Sequence, residues 1–185
     1  MTREQALDLL KTYIQNQNTV KHSLASEAVL RAIAQRLGQD VEKWGMAGLL
    51  HDIDYELTSG NPKTHGLEAV ALLSKHGIDE EIIEAIKLHN EMAEGVAPRS
   101  KPFHFALAAG ETITGLITAT ALVYPDKKLS SVKTKSITKR MKEKAFAASV
   151  NRDVIMECEK LGLTIEEFAQ ISLDAMCGIS EQLGL

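Results

Sequence analysis

The sequence predicts an all-α protein, a single-domain helical bundle over residues 1–185. Three observations carry that expectation. Apolar residues recur at intervals of three and four nearly throughout. Ala, Leu and Ile supply most of the apolar volume, whereas aromatic residues make up only 4% of the chain, a bias toward helix over sheet. No run of alternating apolar residues is long enough for a strand, and no internal repeat is visible.

Each element can be read in turn. Leu7, Leu10 and Ile14 mark a first amphipathic helix. Val20, Leu24, Ala28, Ile33 and Leu37 mark a second, stopped by Gly38. Val41, Trp44, Ala47, Leu50 and Ile53 mark a third, with His51-Asp52 in its last turn. "TSGNPKT" is a loop by composition. Pro62 suits the start of a fourth helix whose stripe is Ala69, Leu72 and Leu73, ending at Gly77. Asp79 caps a fifth, with Ile82 and Ile86 inward. After the loop "EMAEGVAPRSKP", Phe103 to Tyr124 is long and apolar. It approaches the roughly 20 residues of a membrane span, but in an otherwise polar chain it reads as a central helix buried on all sides. Ser130 to Lys135 alternates weakly and is too polar for a strand. Helices resume near Ile137, Val150 and Thr164.

Composition narrows the function. A chain with 44% hydrophobic and 25% charged residues and a net charge of −4 is an ordinary soluble globular protein. That balance argues against a nucleic-acid partner and against a membrane. The charge is uneven, however: Lys127 to Lys144 holds eight basic residues against Glu143 alone. This stretch is either a solvated face or a phosphate-attracting lip or RNA contact. Cys158 and Cys177 have no metal spacing, and the N-terminus lacks the apolar core of a signal peptide, so a reduced, cytoplasmic setting is expected.

The chemistry concentrates in histidines. "AGLLHDIDYELTSG" sets His51-Asp52 at the inner end of an apolar run. A buried charge there must be paired, hydrogen-bonded or bound to a metal. His89 shares the inward stripe of Ile82 and Ile86. His65 follows the loop after His51-Asp52, on a stripe with Ala69, Leu72 and His76, which leaves His76 roughly 16 Å away along the axis. His22 lies in the first turn of the second helix, and Glu111 lies midway along the apolar helix. His104 is on the face of Glu111 but about 10 Å from it. A lone inward histidine is usually a hydrogen-bonded core residue. Several at helix ends, with an adjacent Asp and a buried Glu, form the ligand set of zinc, iron or manganese.

In order, these segments resemble the HD-domain metal-dependent phosphohydrolases. "LLHDIDYE" is similar to the signature dipeptide with its apolar lead-in, and "VKHSLASEAV" to the segment bearing the first histidine. "THGLEAVALL" and "AIKLHN" resemble the two extra histidine segments of the binuclear branches. The resemblance covers about residues 20–125 and leaves 126–185 as a helical C-terminal extension. In "AAGETITG", Glu111 stands where the family usually has Asp. The resemblance implies an HD-type fold and a binuclear divalent-metal site, iron or manganese, with magnesium, nickel or zinc as further candidates. His22, His51, Asp52 and Glu111 would hold one ion, and His65, His89 and Asp52 the second. An activated water would then attack a phosphate ester or anhydride, with a small phosphorylated molecule such as a nucleotide as substrate. Asp54 is a candidate to orient a ligand histidine or transfer a proton; a surface carboxylate at a helix end is the plainer reading. Lys63 and Asn90 are candidates to meet substrate. The same ligands serve HD-fold di-iron oxygenases, and a non-catalytic nucleotide- or RNA-binding module is the third reading.

Overall fold

Ten α-helices and no strand make up the computed structural model, which describes residues 1–185. They are α1 (Arg3–Tyr13), α2 (Gln17–Leu37), α3 (Val41–Leu50), α4 (Leu67–Lys75) and α5 (Glu80–His89). The chain continues with α6 (Pro102–Leu122), α7 (Thr134–Met141), α8 (Arg152–Ile155), α9 (Ile165–Cys177) and α10 (Ser180–Leu183). Short 3-10 turns at Leu129–Ser131 and Met156–Leu161 join the later helices. The starts are chemically marked. Thr2 and Thr164 form capping boxes with Gln5 and Glu167, while Asn16, Asp40 and Asp79 accept from backbone N–H groups in the first turn.

The apolar stripes meet in one cluster of 41 buried residues that reaches from Ala6 to Leu183. At its centre α2 packs on α3, α6 and α9. By length and composition α6 would pass for a membrane span. In the bundle it is the central helix, with Ala106, Leu107, Ala109, Ile113, Leu116 and Ile117 wholly buried, but not on all sides as expected: Phe105, Glu111, Thr112, Gly115, Thr118 and Ala119 are partly exposed and Leu122 is exposed.

Two glycines set how closely these helices approach. A Cβ at Gly48 would stand 2.6 Å from the Ser26 carbonyl oxygen, so α3 rests directly on the backbone of α2. A Cβ at Gly110 would stand 2.7 Å from the tip of the Leu30 side chain, which packs on α6 there. Backbone cannot give way as a side-chain tip can. Gly48→Ala should therefore cost about 1–3 kcal/mol, the usual range for overpacking a core, read as a lower thermal midpoint. An unchanged midpoint would show that the two helices part freely.

Several sequence expectations need correction. The fourth helix starts at Leu67, five residues after Pro62, and His51 to Gly66 runs as successive turns. Gly66 sits at φ +89° and reverses the chain, while the N–H groups of Gly66 and Ala69 are taken by the Asp54 carboxylate. His65 is therefore ahead of the helix and not on its stripe, and His76 is exposed at the far end. The third helix ends at Leu50, so His51-Asp52 lies just past its last turn. His22 falls in the second turn of α2 because that helix begins at Gln17. Leu7, Leu24 and Ala28 are only partly buried; Ala6, Ala25, Val29, Leu30 and Ala34 take the inner positions. The ambiguous stretch near Ser130 is the first 3-10 turn, followed by α7 from Thr134.

Candidate metal centre

Four imidazoles converge on the Asp52 carboxylate from α2, the end of α3, the turns before α4 and the end of α5. His65 Nε2 lies 3.0 Å from Asp52 Oδ1, with His51 Nε2 at 3.4 Å and His89 Nε2 at 3.8 Å from the same oxygen. His22 Nε2 lies 3.6 Å from the other oxygen, Oδ2. Two groups with metal-holding spacing result: His22, His51 and Asp52, and Asp52, His65 and His89. Asp52 belongs to both.

What the remaining ring nitrogens do decides whether this is a ligand set. Every Nδ1 has an acceptor of its own. His51 Nδ1 faces Gly48 O at 2.9 Å, and His89 Nδ1 faces Ile86 O at 2.5 Å. His65 Nδ1 faces Asp54 Oδ1 at 2.7 Å. The Thr114 hydroxyl donates to Glu111 O at 2.7 Å, so its oxygen is left to accept from His22 Nδ1 at 2.9 Å. With the Nδ1 protons so placed, all four Nε2 atoms turn to the interior. They meet in pairs, His22 with His51 and His65 with His89, each at 3.1 Å. Ligand nitrogens ~2.1 Å from a shared ion stand ~3 Å apart at right-angle coordination. The donor set fits a divalent cation.

Electrostatics divides the four rings. Burial holds His51 and His89 down to about 4, reinforced by the imidazoles beside them. Both are thus neutral, with lone pairs free, at ordinary pH. Burial also opposes charge on His65, but Asp52 and Asp54 on its two sides outweigh that and push it up to about 10. A cation taking His65 Nε2 therefore displaces a proton. Desolvation lowers His22 less than the Glu111 and Asp52 carboxylates raise it. Burial works against the Asp52 charge too, yet the surrounding histidines hold it well below the usual carboxylate range.

The other sequence candidates fall around this centre. Glu111 Oε2 is 3.6 Å from His22 Nε2, on the wall of the cleft and outside both groups. Asp54 is fully buried and accepts from His65, Gly66 N at 2.7 Å and Ala69 N at 3.0 Å. Its carboxylate aims His65 and closes the start of α4. Asn90 lines the cleft, but its amide donates to the carbonyls of Pro62 and His65 at 2.7 and 3.0 Å. It tethers the turn that carries His65. Lys63 is 68% exposed and pairs with Glu94, away from the cleft. His104 is buried against Ser100 N and Glu84.

Sequence reasoning missed three contributors. Thr114 sets the His22 tautomer from one turn beyond Glu111. Gly48 supplies the His51 acceptor from three residues upstream. Arg99 binds the carbonyls of Leu88 and His89 at 3.0 and 3.1 Å and grips Glu157 through two nitrogens. Only the threonine, at helical spacing from a suspected ligand, left a signal that could have been followed.

The centre opens into a cleft of about 310 Å³ whose walls include Tyr55, Glu91, Thr112 and the segment Ser149–Asn151. Arg152 stiffens that segment by donating to the carbonyls of Phe146, Ala147 and Val150, and Asn151 ties it to Glu91 at 2.9 Å.

An all-helical bundle with a buried His–Asp cluster able to hold metal defines the class. The family model for the HD domain matches residues 19–121, and the chain belongs to that family. It is similar to proteins named Ribonuclease Y. That of Nitratidesulfovibrio vulgaris (strain DP4) is 37% identical over 76 residues, 41% of this chain and 15% of that protein. That of Thermosipho melanesiensis is 29% identical over 171 residues, 90% of this chain and 32% of that protein. That of Pseudothermotoga lettingae is 28% identical over 147 residues, 78% and 29% respectively. The chain thus spans about a third or less of these relatives. Their name runs against the expectation, drawn from net charge, that nucleic acid is not a partner.

Proposed function

We propose that this chain is a metal-dependent phosphohydrolase that cleaves a phosphodiester, with RNA or a nucleotide as the substrate class. The observation that carries the reading is the Asp52 carboxylate set between two pairs of inward-facing Nε2 atoms. The RNA element rests on the name of the relatives alone. No lysine or arginine lines the cleft, so the positive charge a phosphate needs is what a bound divalent cation would supply, together with a water of lowered pKa.

The chain's own residues do the rest. Asp52 spans the two pairs and joins them into one site. Thr114 and Asp54 hold His22 and His65 in the tautomer that binds. Glu111, on the cleft wall beside His22, offers a carboxylate to a hydrogen-bond donor on the substrate or its water. The Tyr55 and His65 rings meet edge to face at a centroid distance of 5.4 Å on the His65 side of the site.

The test is metal analysis of protein purified without chelator, followed by assays with manganese, iron, nickel or magnesium added back. Bis-p-nitrophenyl phosphate, a nucleotide and an oligoribonucleotide serve as substrates. Cleavage that needs the metal and stops with chelator is expected. Oxygen uptake without phosphoester cleavage would replace this reading with di-iron oxygenase chemistry. A protein that takes up no metal would reduce the site to a binding module.

A further inference from the structure

Outside the metal cleft, the largest concentration of like charge lies on and beyond α7. Lys135, Lys139 and Lys142 follow one another at spacings of four and three, so they share one face of the helix. With Lys144 they edge a groove of about 600 Å³ whose floor is formed by Met141, Met156 and Ile165. All four lysines are exposed. Only Lys139 has a carboxylate within ion-pair distance, Glu143 at 3.6 Å, and Glu143 is shared with Arg140. Asp153 and Glu166 are the acidic groups on the rim, and neither pairs with a lysine there. The stretch from Lys127 to Lys144 holds eight cations and one anion in a chain whose net charge is −4, so the rest of the molecule is strongly acidic. The molecule is polarised.

We infer that this groove binds a single-stranded polynucleotide. Cations left without partners around a groove favour a polyanion, whose condensed counterions are released on binding. The apolar floor selects among polyanions. A lipid surface offers phosphates but no base faces, and a duplex hides its base faces. A single strand presents phosphates to the lysines and apolar base faces that can be buried against the methionine and isoleucine side chains.

The groove's position suits that occupant. Arg152, Asp153 and Met156 belong to the groove, whereas Ser149, Val150 and Asn151 line the metal cleft. Groove and cleft are thus the two sides of one short segment, stiffened by Arg152. A strand held on the lysines reaches the cleft by crossing that segment. Strand binding stands on the groove itself, while its link to cleavage rests on the phosphodiesterase reading.

The test uses the full chain and a fluorescein-labelled 20-nucleotide oligouridylate, with a matched oligodeoxythymidylate, in chelator so that nothing is cleaved. The variant K135Q/K139Q/K142Q/K144Q should bind both strands at least tenfold more weakly at 0.1 M salt. Its slope of log affinity against log salt should be shallower by about 2–3, at roughly 0.7 for each phosphate no longer neutralised. The control K127Q/K128Q removes two charges of the same stretch outside the groove and should bind like the unaltered protein. A loss in the double variant about half that of the quadruple variant in log affinity, in proportion to the charge removed, would mean diffuse charge and overturn the groove. So would an unaltered protein that ignores the oligonucleotides, or one captured by phosphatidylserine vesicles in their place. Hydrolysis of bis-p-nitrophenyl phosphate should be the same in the quadruple variant as in the unaltered protein. If the metal-loaded protein hydrolyses nothing yet binds strands through the four lysines, the phosphodiesterase reading fails and the groove stands. If it hydrolyses the small ester and the quadruple variant binds strands normally, the reverse holds.

Discussion

Asp52→Ala is expected to lower metal-dependent hydrolysis by at least about 10³-fold, the upper end of what losing one transition-state partner costs. The reason is its place in both metal-holding groups. The same substitution should retain the fold at least in part, at a cost in stability because it removes one of the two carboxylates paired with the buried His65. The Asp52 side chain makes no hydrogen bond to the backbone; its oxygens meet only the four imidazoles. The measurement is kcat/KM with metal added, beside a thermal midpoint taken in chelator. Full activity in the folded variant would reject the mechanism.

Asp54→Ala should fail in a different way. Its carboxylate is buried and satisfies three donors, the His65 ring and the N–H groups of Gly66 and Ala69. Each orphaned donor costs about 1–3 kcal/mol, and breaking a buried charged pair costs about 3–5 kcal/mol. A loss of about 3–5 kcal/mol in denaturant unfolding is therefore expected even in chelator. Metal affinity should fall about 10–100-fold, because His65 loses the partner that aims it. Asp54→Asn retains an acceptor oxygen and should recover part of the stability. A variant as stable as the unaltered protein would show that the turns from His51 to Gly66 are held by something else.

The contrast between these neighbours explains what could be read from the sequence. His51-Asp52 was legible because an apolar helix running into a charged pair is costly without a partner. His89 was legible from the stripe of Ile82 and Ile86, and the helices from their spacing and caps. The turns before α4 were not. Their backbone donors bond to a side chain twelve to fifteen residues away, and helical periodicity carries no trace of that. The result was a fourth helix begun too early and a wrong account of how His65 faces inward. Thr114 escaped for a related reason: its hydroxyl acts on a ring 92 residues away. Lys63 and Asn90 stand beside the ligand histidines in sequence, and that neighbourhood alone makes them candidates. One pairs with Glu94 in solvent, and the other is committed to two carbonyls.

The long reach of Thr114 also bears on the order of assembly. Asp54 and His65 are 11 residues apart, and His65 and His89 are 24 apart. That half of the centre closes short loops and needs only α3 to α5 in place. In the His22 half, His22 meets His51 across only 29 residues, but the Thr114 hydroxyl that orients its ring arrives when α6 docks, across 92 residues. Loop closure grows costlier with length, though slowly, and contacts distant in sequence form later in folding. A chain emerging during synthesis would thus hold both histidine pairs beside Asp52 before Thr114 exists to orient His22, and the His22 tautomer is the last feature of the centre to be fixed.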